Sequence, residues 1–123
     1  MIALDSSAFV GYLAGEFDRA SIGVAEALDA GEAYLPPVVV TEVLSNPKIT
    51  RASALRVVSL PLLPILPGYW YRAAILRADV KRDGFKAEVA DCLIAQSCID
   101  HDIPLITYDL DFRHFVRAGL KLP

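Results

Sequence analysis

Only two of the 123 residues are cysteines, Cys92 and Cys98. On what reads as one helix they sit more than a turn apart, too far for a comfortable disulfide. They match no zinc-binding pattern, which leaves a pair of small core residues in a reducing cytosol. Long apolar runs are also missing. The longest stretch without a charge, residues 57 to 71, is interrupted by Pro61, Pro64 and Pro67, which excludes a membrane span. The start, Met1-Ile2-Ala3-Leu4-Asp5, has no basic segment and meets a carboxylate at once, unlike a secretory leader. There is no excess of positive charge. A net charge of −3 argues against a protein that coats nucleic acid through its overall field, but not against an enzyme whose contacts are local. Neither a Ser-His-Asp set nor a glycine-rich phosphate loop is present, and no repeat or low-complexity tract breaks the chain.

What remains is one domain, residues 1–123, with 54% hydrophobic residues and enough length for a core. Ile2-Ala3-Leu4 reads as a buried strand. Ser6 and Ser7 then supply N-cap chemistry for a helix that starts at Ala8. Phe17 to Ala30 reads as a second helix stopped by Gly31, and Ala33-Tyr34-Leu35 as a short strand. In Pro36 to Leu44 the β-branched run suits a strand. Pro37 at a first helical position and Asn46-Pro47 as a stop suit a helix, which is preferred. Helices are expected at Thr50–Val58, Tyr69–Asp83 and Glu88–His101, with Arg72, Arg77, Lys81 and Arg82 on the polar surface of the second. Leu62–Leu66 is expected to be extended, Pro104–Thr107 a strand, Asp111–Arg117 a short helix and Leu120–Leu122 a last strand. Strands alternating with helices predict a three-layer α/β/α sandwich with a mostly parallel central sheet, and sites in such sheets form at the carboxyl ends of the strands.

That rule selects a set of acids. Asp5 ends the first strand, and Asp109 lies just past the strand at 104–107. Asp91 is near the start of a helix that runs antiparallel to that strand, so it reaches the same edge. Its helical neighbours Ile94, Ala95 and Cys98 are apolar, so it faces inward. Glu42 lies about a turn and a half into a helix entered from a strand end. Each acid alone has a duller account: Asp5 as an N-cap or turn residue, Asp109 and Asp111 as turn residues, Asp91 as a helix cap, Glu42 as a surface residue. Their joint placement is the signal. Two unit charges ~4 Å apart repel by ~4 kcal/mol at an effective dielectric of about 20, so such a cluster keeps protons or takes a cation. Oxygen-only ligands suit Mg²⁺ or Mn²⁺, and the chemistry such ions serve is phosphodiester hydrolysis by water.

Four segments carry a resemblance. Leu4-Asp5-Ser6-Ser7, Leu35-Pro36-Pro37-Val38-Val39-Val40-Thr41-Glu42-Val43-Leu44, Ala90-Asp91-Cys92-Leu93-Ile94-Ala95 and Leu105-Ile106-Thr107-Tyr108-Asp109-Leu110-Asp111-Phe112 resemble, in order and spacing, the acidic elements of the PIN-domain family, in particular its VapC-type toxins. The resemblance implies a PIN-like fold and a metal-dependent endoribonuclease acting on single-stranded or structured RNA. It implies a catalytic, metal-binding site at Asp5, Glu42, Asp91 and Asp109, with Asp111 sharing metal duty or replacing Asp109 as fourth ligand. Ser7 would orient Asp5, and Thr107 would brace the edge. A cognate antitoxin, a homodimer and a cytoplasmic location are also implied. The chain departs in having Ser6 where the family often has Thr, an undiagnostic Phe85-Lys86-Ala87-Glu88 and a proline-rich 61–67.

Arg113, directly after the last acidic segment, is the preferred phosphate contact, with Arg51, Arg56, Lys86 and Arg117 as further candidates. All five also suit a solvated face. His114 is either a proton-transfer group or a surface histidine, and His101 sits near a helix C-terminus. Competing readings are a metal-dependent phosphatase or DNase with the same acids, a non-catalytic module gripping a basic partner segment, and a structural dimer domain.

Overall fold

The computed structural model describes all 123 residues, Met1 to Pro123. Its sheet has three short parallel strands, β1 (Ile2–Leu4), β2 (Ala33–Tyr34) and β3 (Leu105–Ile106), in the order β2-β1-β3. Central β1 pairs Ala3 with Tyr34 on one side and with Leu105 on the other. The sheet is widened at each edge by one parallel bridge, Leu35 to Leu62 and Pro104 to Lys121. The extended segments expected at 62–66 and 120–122 are thus reduced to single bridges. In the first, Leu35 N–H donates to Pro61 O at 3.0 Å and Leu63 N–H to Leu35 O at 2.9 Å. The prolines at 61, 64 and 67 have no amide to donate, so no longer ladder forms.

Helices α1 (Ser6–Leu13) and α2 (Arg19–Asp29) connect β1 to β2. Helices α3 (Pro37–Leu44), α4 (Arg51–Ser59), α5 (Tyr69–Arg82) and α6 (Val89–His101) connect β2 to β3, and a 3₁₀ helix, Leu110–Ala118, follows. The first connection runs from β1 to its neighbour β2, and the second runs back from β2 past β1 to β3, so the two cross the sheet in opposite directions. Right-handed crossovers therefore place them on opposite faces of the sheet, giving the α/β/α sandwich. The chain reverses direction across the sheet beside β1, and the carboxyl ends of β1 and β3 border that switch point.

Local chemistry explains most boundaries. Asp18 caps α2 through Ser21 N–H at 2.9 Å, and Thr50 caps α4 through Ser53 N–H at 3.1 Å. Pro37 opens α3, so the β-branched segment 38–40 is helical despite its strand propensity. The start of α1 corrects the expectation. Its cap is Asp5, whose Oδ1 accepts from Ala8 N–H at 2.8 Å, while Ser6 and Ser7 lie inside the first turn. A carboxylate at the strand end can reach the free amides of that turn, and the serine hydroxyls are left for other partners.

The core gathers Leu4, Phe9, Val24, Leu35, Val39, Val57, Leu63, Ile94, Leu105, Phe112 and Phe115, all essentially inaccessible. Helix α6 is buried around much of its circumference, with Cys92, Ile94, Ala95 and Cys98 in the core. Both cysteines are free thiols. The polar side chains on this helix are satisfied: Gln96 donates to Asp100 at 2.9 Å, and Ser97 lies 3.4 Å from Tyr69 Oη. Tyr69 in turn donates to Leu93 O at 2.6 Å. Two of the cations assigned to a polar surface are part-exposed and also join segments of the fold. Arg72 grips Asp100 with two hydrogen bonds of 3.0 and 2.6 Å and reaches Pro67 O, and Arg77 donates to Ala87 O at 2.9 Å. A guanidinium has enough donors to join two segments at once. No helix is long and apolar enough to cross a membrane.

Candidate active site

The register Leu4 to Ile106, carried one step further, brings Asp5 beside Thr107 at the carboxyl edge of the sheet. Asp5 is 3% exposed. Its two oxygens accept from Ser7 Oγ at 2.9 Å each, from Ala8 N–H at 2.8 Å and from Thr107 Oγ1 at 2.5 Å. Burial pushes its carboxyl up from the ordinary value. The hydrogen bonds from Thr107, Ala8 and Ser7 oppose that rise, and the field of Asp109 adds to it.

The same hydroxyls shape the loop after β3. Ser7 Oγ accepts from Tyr108 N–H at 3.0 Å, and Thr107 Oγ1 accepts from Asp109 N–H at 2.9 Å. Asp109 Oδ1 then accepts from Asp111 N–H at 2.9 Å and caps the 3₁₀ helix. Tyr108 fixes the outer side of this loop. Its hydroxyl donates to Asp18, at 2.6 and 2.5 Å to the two oxygens, and lies 2.6 Å from Ser21 Oγ. Its ring packs against Gly11 so closely that a Cβ there would sit 2.5 Å from Cε2.

Asp91 enters from the first turn of α6 and is half-buried. Its carboxyl is pushed up to about 6, first by burial and then by the fields of Asp109, Glu88, Glu42 and Asp5. Glu42, on the exposed side of α3, receives Ser6 Oγ on Oε1 at 2.6 Å. The ion pairs of the molecule are Arg72–Asp100, Arg82–Asp79, Lys86–Glu88 and Lys121–Asp102. None involves Asp5, Glu42, Asp91 or Asp109. Asp5, Glu42 and Asp109 are held by hydroxyls or amides, which orient a carboxylate without cancelling its charge. The four act on one another through their fields; no three His, Cys, Asp or Glu side chains are disposed around a common point that would hold an ion. The donor chemistry nonetheless fits a hard divalent cation: uncompensated carboxylates, with no thiol or imidazole among them.

A family model for the PIN domain matches residues 2–118. The chain belongs to the PIN domain family. A chain of the crystal structure of VapBC2 from Rickettsia felis bound to a DNA fragment from their promoter has the same fold, with a TM-score of 0.74 at 18% identity. The alignment covers 100% of this chain and 98% of that one. No curated protein matches the sequence.

In this PIN domain the four acids singled out from sequence gather on one edge, with Asp5, Glu42 and Asp109 all contributing to the field at Asp91. Asp111 is exposed, is not among the charges that shift Asp91, and serves the edge through its backbone amide. Glu88 is the acid that the sequence reading passed over. It stands three residues before Asp91 at the N-cap of α6, and helical spacing alone marks it as a neighbour one turn away. Lys86 approaches Glu88 at 3.4 Å, which ties up that candidate cation. Arg56 donates to Tyr12 Oη at 3.2 Å, with its guanidinium 5.7 Å from the ring centroid. Arg113 is exposed and bonds only the carbonyl of Leu110, at 3.2 Å. Arg51 and Arg117 are also exposed. His114 is no simple surface histidine: it stacks on Phe85 at 4.2 Å and its Nδ1 is buried without a partner. His101 Nε2 lies 2.7 Å from Pro64 O, tying the C-terminal end of α6 to the proline-rich segment.

Proposed function

We propose that this PIN domain is a Mg²⁺- or Mn²⁺-dependent endoribonuclease that hydrolyses phosphodiester bonds in single-stranded or structured RNA, and that it is the toxin of a toxin–antitoxin pair. The observation that carries this is the set of carboxylates around Asp91, of which Asp5, Glu42 and Asp109 have no cationic partner; with burial and Glu88 they hold its carboxyl up at about 6. A site that strains against its own negative charge is one that a divalent cation relieves. Asp5, Glu42, Asp91 and Asp109 are the proposed ligands, with Asp111 adjoining them. When bound, the ion supplies positive charge to phosphate oxygens and acidifies the attacking water.

The chain's own part is orientation. Ser7 and Thr107 hold Asp5 and, through the Tyr108 and Asp109 amides, the loop after β3. Arg113, exposed just past that loop, is the proposed contact for an RNA phosphate. The fold shared with a chain of the Rickettsia felis VapBC2 structure supports a cognate antitoxin as partner; a cytoplasmic setting is part of the same proposal. A homodimer is supported by the exposed Trp70, Tyr71 and Ile75 on α5, an apolar face of the kind that a second copy covers.

The test is cleavage of a mixed-sequence single-stranded RNA with Mg²⁺, with Mn²⁺ and with EDTA, run beside Asp5→Ala and beside DNA and mononucleotide controls. Metal-dependent RNA cleavage that is lost in Asp5→Ala is expected. Cleavage indifferent to EDTA and to the substitution would overturn the assignment, and preference for DNA or mononucleotides would replace ribonuclease by DNase or phosphatase.

A further inference from the structure

Glu42 differs from the other acids of the site. Asp5 is buried among three donors and Asp109 is fixed in a capping turn, but Glu42 stands on an exposed helix face. Its side chain has three rotatable bonds, and a free glutamate of this kind samples many rotamers that point away from the site. One side-chain contact restrains it: Ser6 Oγ donates to Oε1 at 2.6 Å.

Ser6 is the residue after Asp5, and it is free for this contact because Asp5 has taken over the capping of α1. The first peptide of α1 thus carries two consecutive side chains with different tasks. Asp5 turns into the sheet edge, and Ser6 reaches across 36 positions of sequence to α3. The donor is neutral, so Glu42 keeps its charge, and the contact engages Oε1 while Oε2 carries no side-chain hydrogen bond.

We propose that Ser6 is a positioning residue for Glu42: its hydroxyl holds the carboxylate in the orientation from which Oε2 meets a divalent cation. This rests on the metal-dependent reading above. Ligand-orienting contacts of this type typically change metal affinity by about tenfold or more when removed.

The experiment is Mn²⁺ titration of the full-length chain, wild type, Ser6→Ala and Ser6→Thr, followed by the electron paramagnetic resonance of free Mn²⁺, with thermal unfolding in EDTA alongside. Ser6→Ala is expected to weaken Mn²⁺ binding about tenfold while its metal-free melting temperature stays with the parent's. Ser6→Thr, which restores the hydroxyl, is expected to bind like the parent. Equal affinity in Ser6→Ala would overturn the inference. So would equal weakening in Ser6→Thr, or a weakening accompanied by a fall in metal-free stability, since either assigns Ser6 to the fold of α1. A wild-type chain that binds no Mn²⁺ would overturn the nuclease reading itself, a result distinct from a failure confined to the variants.

Discussion

Thr107 and Asp5, 102 positions apart in sequence, share a hydrogen bond of 2.5 Å at the carboxyl edge of the sheet. The same hydroxyl oxygen accepts the Asp109 amide at 2.9 Å. One side chain therefore sets both the buried first acid and the backbone of the last. Thr107→Val keeps the shape and removes both contacts. It is expected to cost about 1–3 kcal/mol, because it strands an amide and takes a donor from a buried carboxylate. Without that donor the Asp5 carboxyl rises further, so the loss is larger near pH 7 than near pH 4. Urea denaturation, read as a lower midpoint at unchanged slope, checks it; Thr107→Ser is expected to keep most of the stability.

Asp91→Asn separates function from folding. The substitution removes a charge from a cluster that repels itself, so cleavage and metal binding are expected to fall while metal-free stability at pH 7 stays equal or rises. Added Mg²⁺ is expected to raise the melting temperature of the parent more than that of the variant. A variant that is less stable yet fully active would identify Asp91 as structural.

Metal-free stability is expected to depend on pH in a direction set by the same residue. In the folded chain Asp91 titrates at about 6 against an ordinary value of 3.8, so between these values the folded state holds a proton that the unfolded state has released. Its contribution is present at low pH and declines as pH rises through about 6. Asp5, raised by burial, acts in the same sense. Asp18 and Asp100 are lowered and act oppositely, losing their contribution only as pH falls below the ordinary carboxylate range. Thermal unfolding in EDTA from pH 4.5 to 7.5 is expected to show a steeper decline for the parent than for Asp91→Asn; parallel curves would contradict the shift.

Gly11→Ala tests the close packing under Tyr108. A helix interior ordinarily gains up to about 1 kcal/mol from this change. Here the new methyl would lie 2.5 Å from the Tyr108 ring, and the ring is pinned by Asp18 and Ser21. A net loss of about 1–3 kcal/mol is expected, partly relieved when Tyr108→Phe frees the ring to shift. A stabilised Gly11→Ala would show that the loop after β3 moves readily.

Much of the architecture is local in origin and could be read along the chain. The apolar strand ahead of Asp5, proline at the start of α3, glycine after α2 and α5, and the inward stripe at Ile94, Ala95 and Cys98 each follow from the residues concerned. The placement of Asp5, Glu42, Asp91 and Asp109 on one edge was legible for the same reason: a parallel sheet puts strand ends and the starts of returning helices together. What sequence could not decide involves partners far apart in the chain. Asp5 rather than a serine caps α1 because the folded strand end aims its carboxylate at the free amides of the next turn. Arg72 and Arg77, only partly exposed, bind Asp100 and Ala87, which come within their reach only in the folded chain. Ser6 finds Glu42, and Thr107 links Asp5 to Asp109, for the same reason. The residue types and their spacing determined which groups this protein has. Only the tertiary structure decided which of them are oriented, because a hydrogen bond needs its two partners within about 3 Å, a proximity that periodicity along one chain does not specify.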